Sequence, residues 1–425
     1  MAGPKRIKSV NYNKKPFWFS AINSIWKNSY PLGTQIRLDK DILIKEARES
    51  TGLKDLGKHF WDEPLERLLY SINTEARLHP IGRFITKKRL INLLDVRLRA
   101  EDWFKKHPEI LEQELYPVMM IIGLQRTGTT KLHRMLASDP NTRALLSWEA
   151  LNPVPLNGDM STGEERIQIA KTSEKALKII SPGFFAIHPV EHLAPEEDVL
   201  LLDVSFLSTT AEATMHVPSY SEWLHKTDQS LAYDYAARLM KFLQQQRPGK
   251  LWVLKSPHHL EFLNLADKHF KDVQFLWTHR NVHDAIPSFL SMVSYSRTLF
   301  SNEVDPGEVA DHWVRKIGYM LDKAMEFRAQ RAHESQFLDI SYHDLVENSI
   351  EVMKNIYRSQ NLEINTDLQQ IFEITEQTNP KGKYGVHEYK LDDFKIERSF
   401  IDKYTSDYQE YQEKLKISRY GIDEG

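Results

Sequence analysis

The feature that most constrains this chain is a short apolar run that stops at a glycine and is followed by a helical pattern. Val118-Met119-Met120-Ile121-Ile122 contains no polar residue, and Gly123 ends it. A run of this length bounded by glycine reads as a strand buried on both faces, as in parallel sheets. Leu132, Met135 and Leu136 then fall at helical spacing, and Asp139-Pro140 stops the helix. The turn between them therefore lies at the carboxyl end of a strand, where open parallel sheets bind their ligands.

Three further segments read as buried strands: Leu251 to Leu254, Val273 to Trp277 and Phe337 to Ile340. Helical patterns at 231–246 and 308–330 separate them. Strands alternating with helices imply a parallel sheet covered on both faces. Residues 36–115 are mostly helical, with Leu65, Leu68, Leu69 and Ile72 on one stripe and Leu90, Leu93, Leu94 and Leu98 on another. Residues 153–164 and 301–307 read as loops, 196–207 as a helix opening with acidic residues, and 400–417 as a late helix. The expected architecture is α/β, a three-layer fold with a central parallel sheet and helical N-terminal and C-terminal additions. Its expected division is a mainly helical extension at 1–115 and an α/β domain at 116–425.

The turn itself is Gly123-Leu124-Gln125-Arg126-Thr127-Gly128-Thr129-Thr130. A helix N-terminus there presents free N–H groups and the positive end of a dipole to an anion. Gly128 permits close backbone approach, the hydroxyls of Thr127, Thr129 and Thr130 can donate to phosphate oxygens, and Arg126 adds a fixed charge. In the nucleoside-triphosphatase loop G-x-x-x-x-G-K-[ST], the lysine reaches the terminal phosphates. The two glycines match that spacing, but Thr129 stands where the lysine would be and Lys131 comes two residues later. This counts against a kinase or triphosphatase, which stays as the alternative reading.

The same turn, through Lys131-Leu132-His133, resembles the 5′-phosphosulfate loop of sulfotransferases that use 3′-phosphoadenosine 5′-phosphosulfate (PAPS). It is most similar to the bacterial-type branch with R-[ST]-G-T-T; the cytosolic enzymes have lysine where Arg126 stands. Thr278-His279-Arg280-Asn281-Val282 to Ser288 resembles that family's 3′-phosphate motif. Lys255-Ser256-Pro257-His258-His259 is similar to its K-[ST]-P-x-H segment, and Pro195-Glu196-Glu197-Asp198 to an acidic motif of the same branch. The four stand in order between about residues 116 and 345. The resemblance implies a P-loop-like fold and transfer of a sulfonate from PAPS to a hydroxyl or amine of a small acceptor, without a metal. Arg126, Thr127, Gly128, Thr129, Thr130, Arg280 and Ser288 would then bind the donor.

Sulfonate transfer needs a base for the acceptor and positive charge on the transferring group. Lys255, at a strand end, and Arg126 supply the charge. His259 is the first expectation for the base, and Glu196 and Glu197 are its rivals. His188 and His192 lie nearby in sequence, and as isolated histidines read more readily as satisfied polar groups. Lys381-Gly382-Lys383-Tyr384-Gly385 is similar to a late segment that closes over the donor. Residues 205–225 and 289–300 are apolar-rich and could line an acceptor pocket.

With 56 basic against 59 acidic residues, the chain lacks the basic excess of bulk nucleic-acid binders. It has no cysteine, hence no disulfide, thiolate metal site or cysteine nucleophile. No apolar run reaches the length of a membrane span; the lack of cysteine fits a reducing compartment, Met1 to Ser20 lacks a signal-peptide core, and a cytoplasmic protein is expected. The start is basic and aromatic, with five Lys/Arg between Lys5 and Lys15 and then Phe17-Trp18-Phe19. Peripheral contact with a membrane surface stays open there, as do the acceptor's identity and the oligomeric state.

Overall fold

In the computed structural model, residues 36–58, 60–157, 163–181, 183–184, 188–330, 334–380 and 386–420 are described, with short pieces at 6–8, 19, 21 and 23–25. The basic aromatic start, apart from those short pieces, and the glycine-containing loop at 381–385 lie outside them.

Five parallel strands form the central sheet: β1 (Val118–Ile122), β2 (Thr142–Ala144), β3 (Leu251–Lys255), β4 (Gln274–His279) and β5 (Phe337–Ser341). Their spatial order is β2-β3-β1-β4-β5. The apolar run of β1 is wholly buried because it is the middle strand, packed on both faces. The register sets Ile121 opposite Lys255 on one side and Ile122 opposite Trp277 on the other. The turn after β1 therefore emerges between the carboxyl ends of β3 and β4, where the strand order changes direction. β2 escaped the sequence reading because it is three residues long with an arginine at its centre. Arg143 is fully buried there, and its guanidinium bonds both oxygens of Glu149 at 2.8 Å.

Three long helices precede the sheet, α1 (Lys40–Thr51), α2 (Asp62–Thr74) and α3 (Pro80–Lys106). The stripes of leucine read from the sequence lie on the buried faces of α2 and α3, with Leu93 only partly buried. The helix α4 (Thr129–Leu136) follows the turn after β1; α5 (Ser230–Gln246) precedes β3. Next come α6 (Val282–Thr298) after β4, α7 (Pro306–Gln330) before β5, and α8 (Arg398–Tyr420) at the end. One apolar cluster runs from Leu38 to Tyr408 and takes in α1–α3, one face of the sheet and α8. A second, built on Met119, Ile121, Leu132 and Leu345, fills the other face.

The helix expected at 196–207 is shorter, covering only Val199–Leu202 and a single turn at Asp203–Ser205. Glu196 and Glu197 precede it. The Glu196 N–H donates to the Leu145 carbonyl at 2.8 Å, so the chain there is held extended against a neighbouring segment.

Candidate functional site

The turn after β1 is built around two positive-φ glycines. Gly123 has φ +133°, and a Cβ there would stand 2.4 Å from the Thr278 hydroxyl and 2.6 Å from its carbonyl oxygen. Gly128 has φ +91° and caps α4 with no side chain, leaving the first helical N–H groups facing the crevice. Arg126 is also left-handed, at φ +72°. Non-glycine residues in that region are strained and concentrate at functional sites.

The loop residues do not all face the same way. The Thr127 hydroxyl is buried, donating to the Leu124 carbonyl at 2.6 Å and lying 2.7 Å from the Thr278 hydroxyl. It ties the loop to β4. Thr129 is buried at the start of α4, and Thr130 is exposed. Arg126 Nε donates to the Ser288 hydroxyl on α6 at 3.0 Å, and the Arg280 guanidinium donates to the Arg126 carbonyl at 2.9 Å. Arg280 also lies over the Tyr342 ring, at 4.4 Å from its centroid, and Gln412 of α8 donates to its carbonyl at 3.1 Å. Arg126, Arg280 and Ser288, up to 162 residues apart in sequence, thus form one cluster beside the loop.

Lys255 ends β3 on the other side of the loop. It is 3% exposed, and its ammonium meets the Glu197 carboxylate at 2.5 Å. Its backbone N–H donates to Asp198 Oδ1 at 2.9 Å. The other Asp198 oxygen lies 2.6 Å from His259 Nε2, and His259 Nδ1 lies 2.7 Å from the Tyr233 hydroxyl of α5. Burial alone would raise the Asp198 carboxyl. His259 and the backbone N–H groups of Lys255 and of Asp198 itself outweigh it and hold the group below the ordinary carboxylate range. His259 is wholly buried with both ring nitrogens engaged. His258, its neighbour, is pushed well below the usual imidazole range by burial, and so is neutral.

His133, on α4, went unremarked as a site residue in the sequence. It is buried among these groups, and burial with the nearby Lys255 charge drives it down to about 3. Asp198 and Tyr233 also escaped assignment to the site. Glu196 and Glu197 could have pointed to Asp198; nothing local points to Tyr233.

The apolar segments expected to line an acceptor pocket divide. Phe206, Met215, Tyr220 and Phe289 belong to the main core. Tyr295 packs with Phe184 and Met292 in a small cluster of its own, and Met292 also packs against the main core. Among the described residues no group of three or more His, Asp or Glu could hold a metal ion. None of their helices is long and apolar enough to cross a membrane.

The chain is similar over most of its length to two solved structures. Sulfotransferase STF1 from Mycobacterium tuberculosis H37Rv is 26% identical, with a TM-score of 0.76 over 87% of this chain and 98% of that one. Sulfotransferase STF9 from Mycobacterium avium is 22% identical, with a TM-score of 0.79 over 91% of this chain and 98% of that one. No curated protein sequence matches it significantly. A family model described as "Sulfotransferase family" matches residues 117–366, the sheet and both sides of its ligand crevice, and the chain belongs to that family.

Proposed function

We propose that this sulfotransferase takes its sulfonate from PAPS and passes it to a hydroxyl or amine of a small molecule. The observation that carries this reading is the cluster of Arg126, Arg280 and Ser288 beside a glycine-bounded loop with open helical N–H groups. That arrangement suits a nucleotide with phosphate at two places. The loop and the start of α4 would receive the 5′-phosphosulfate, while Arg280 and Ser288 would hold the 3′-phosphate by charge-assisted bonds. A triphosphatase would need a lysine at the position of Thr129.

Transfer forms a bond from the acceptor oxygen to sulfur and breaks the bond from sulfur to the 5′-phosphate oxygen. Negative charge develops on that leaving oxygen, where Lys255 and Arg126 would stabilise it. Glu197 aims the Lys255 ammonium, and Asp198 fixes the backbone that carries it. His259, closed in by Asp198 and Tyr233, acts in this reading as a positioning residue.

A thermal-shift comparison tests the donor. Adenosine 3′,5′-bisphosphate should stabilise the protein without magnesium by mass action on the native state. Equal or larger stabilisation by ATP with magnesium would overturn the PAPS reading.

A further inference from the structure

The acidic segment is tied by backbone bonds to the chain that follows β2. Ser147 N–H donates to the Ala194 carbonyl at 2.9 Å, Trp148 N–H to the His192 carbonyl at 3.1 Å and Glu196 N–H to the Leu145 carbonyl at 2.8 Å. This strap delivers Glu197 to Lys255. Just before it lies His188, whose N–H donates to the Phe184 carbonyl at 2.8 Å. The rings of Phe184 and His188 are 5.8 Å apart, and Phe184 stacks on Tyr295 of α6 at 6.4 Å. Phe184, Met292 and Tyr295 make a small apolar group in which Phe184 and Met292 are only half-buried, and Met292 links it to the main core.

The His188 imidazole differs from the other histidines of the crevice. His133, His258 and His259 are sealed in the interior, whereas His188 is half-buried. It feels the carboxylates of Glu196 and Glu197 from the strap, Lys255 from β3 and Arg126 from the loop. Lys255 and Arg126 are the cations that would stabilise the leaving oxygen in the PAPS reading, and Glu197 is the carboxylate that aims Lys255. Burial pushes the imidazole below its ordinary value, the two carboxylates oppose this, and the two cations add to it. The ring is therefore neutral near pH 7, the form that accepts a proton. A bound donor would offset the two cations with its own negative charge and make the imidazole more basic.

We infer that His188 takes the proton of the acceptor hydroxyl, and that the acceptor lies between His188 and the apolar group Phe184, Met292 and Tyr295. The inference rests on the sulfotransferase reading above. The acceptor oxygen bonds to sulfur, its proton passes to the imidazole, and the electron pair of the broken sulfur–oxygen bond leaves with adenosine 3′,5′-bisphosphate. The imidazolium, held by Glu196 and Glu197, then returns its proton to water. The apolar group selects an alcohol or phenol with an apolar body over a sugar.

The test uses the full chain, labelled PAPS, and naphthol, decanol and glucose as acceptor probes. His188→Gln should lower kcat about a hundredfold or more and keep its affinity for adenosine 3′,5′-bisphosphate. The acid limb of the wild-type pH profile should vanish in that variant, and persist in His259→Ala at reduced turnover. Phe184→Ala should raise KM for naphthol with little change in kcat. With labelled histidine, the His188 resonance, assigned through His188→Gln, should titrate below the ordinary range. Its midpoint should rise when adenosine 3′,5′-bisphosphate is added. Undiminished turnover in His188→Gln, or a resonance indifferent to the nucleotide, overturns the base. Donor binding with transfer to glucose alone, or to none of the probes, overturns the apolar acceptor. Failure of the wild type to bind adenosine 3′,5′-bisphosphate overturns the function itself.

Discussion

Gly123 shows how much one residue fixes here. An alanine methyl would meet both the hydroxyl and the carbonyl of Thr278 at well under van der Waals distance, at a φ that side chains rarely adopt. Gly123→Ala should therefore cost about 2 kcal/mol or more, from overpacking and backbone strain together. A urea-denaturation midpoint unchanged from wild type would contradict this. Arg280 carries a second prediction, about specificity. Arg280→Ala should weaken adenosine 3′,5′-bisphosphate by about 2 kcal/mol or more, the loss of charge-assisted bonds, and scarcely change adenosine 5′-phosphate. Calorimetric titration of both ligands decides it; equal weakening would mean that Arg280 does not hold the 3′-phosphate. Arg126, Lys255, Arg280 and Ser288 were legible as candidates because each stands at a strand end or at a fixed offset beyond one. The fate of His259 was not legible. Its two partners, Tyr233 and Asp198, are 26 and 61 residues away, and only the fold reveals that they close both ring nitrogens.

At the scale of elements, the strands with continuous apolar runs could be read, since a strand buried on both faces leaves no room for polar residues. β2 could not, because its buried arginine is satisfied by Glu149 from outside the strand. The acidic segment was misread as a helix start for a related reason. Carboxylates favour a helix N-terminus, but here the backbone of 192–196 bonds to 145–148 instead, and the Glu197 and Asp198 side chains turn to Lys255 of β3. Asp198 is the joint between that segment and the sheet. Its carboxylate serves the Lys255 N–H and His259 together, and no water-exposed route compensates either. Asp198→Ala should thus destabilise the fold by about 3 kcal/mol, from buried groups left without an acceptor. Denaturant unfolding measures it, and a cost under about 0.5 kcal/mol, the range of surface substitutions, would show that the joint carries no tension.

On the scale of the whole molecule, the N-terminal helices share their apolar cluster with the sheet, and Lys316 of α7 is buried against Glu212. Glu212 is 1% exposed, meets Lys316 at 3.2 Å and His312 at 2.9 Å, and borders a cavity of about 590 Å³ that includes none of the loop residues. Burial would raise its carboxyl. Lys316 and His312 outweigh that and hold it far below the carboxylate range. Asp339 is depressed in the same sense: burial opposes, and His279 and Arg328 prevail. A carboxyl whose folded value lies below its unfolded value, about 4, adds stability that is complete above the unfolded value and is lost as pH falls toward the folded one. The chain should therefore hold a level stability at neutral pH and lose it steeply below about pH 5. Glu212→Gln removes one of these contributions and leaves Lys316 with only Glu261, at 3.4 Å. At pH 7 the variant should be less stable by about 3 kcal/mol, as for a buried charge stripped of its partner. Between about pH 5 and 3 its stability should fall less steeply than that of the wild type. Urea midpoints across that range test both parts. Parallel pH profiles for the two proteins would mean that the buried Glu212 carboxylate does not govern acid unfolding.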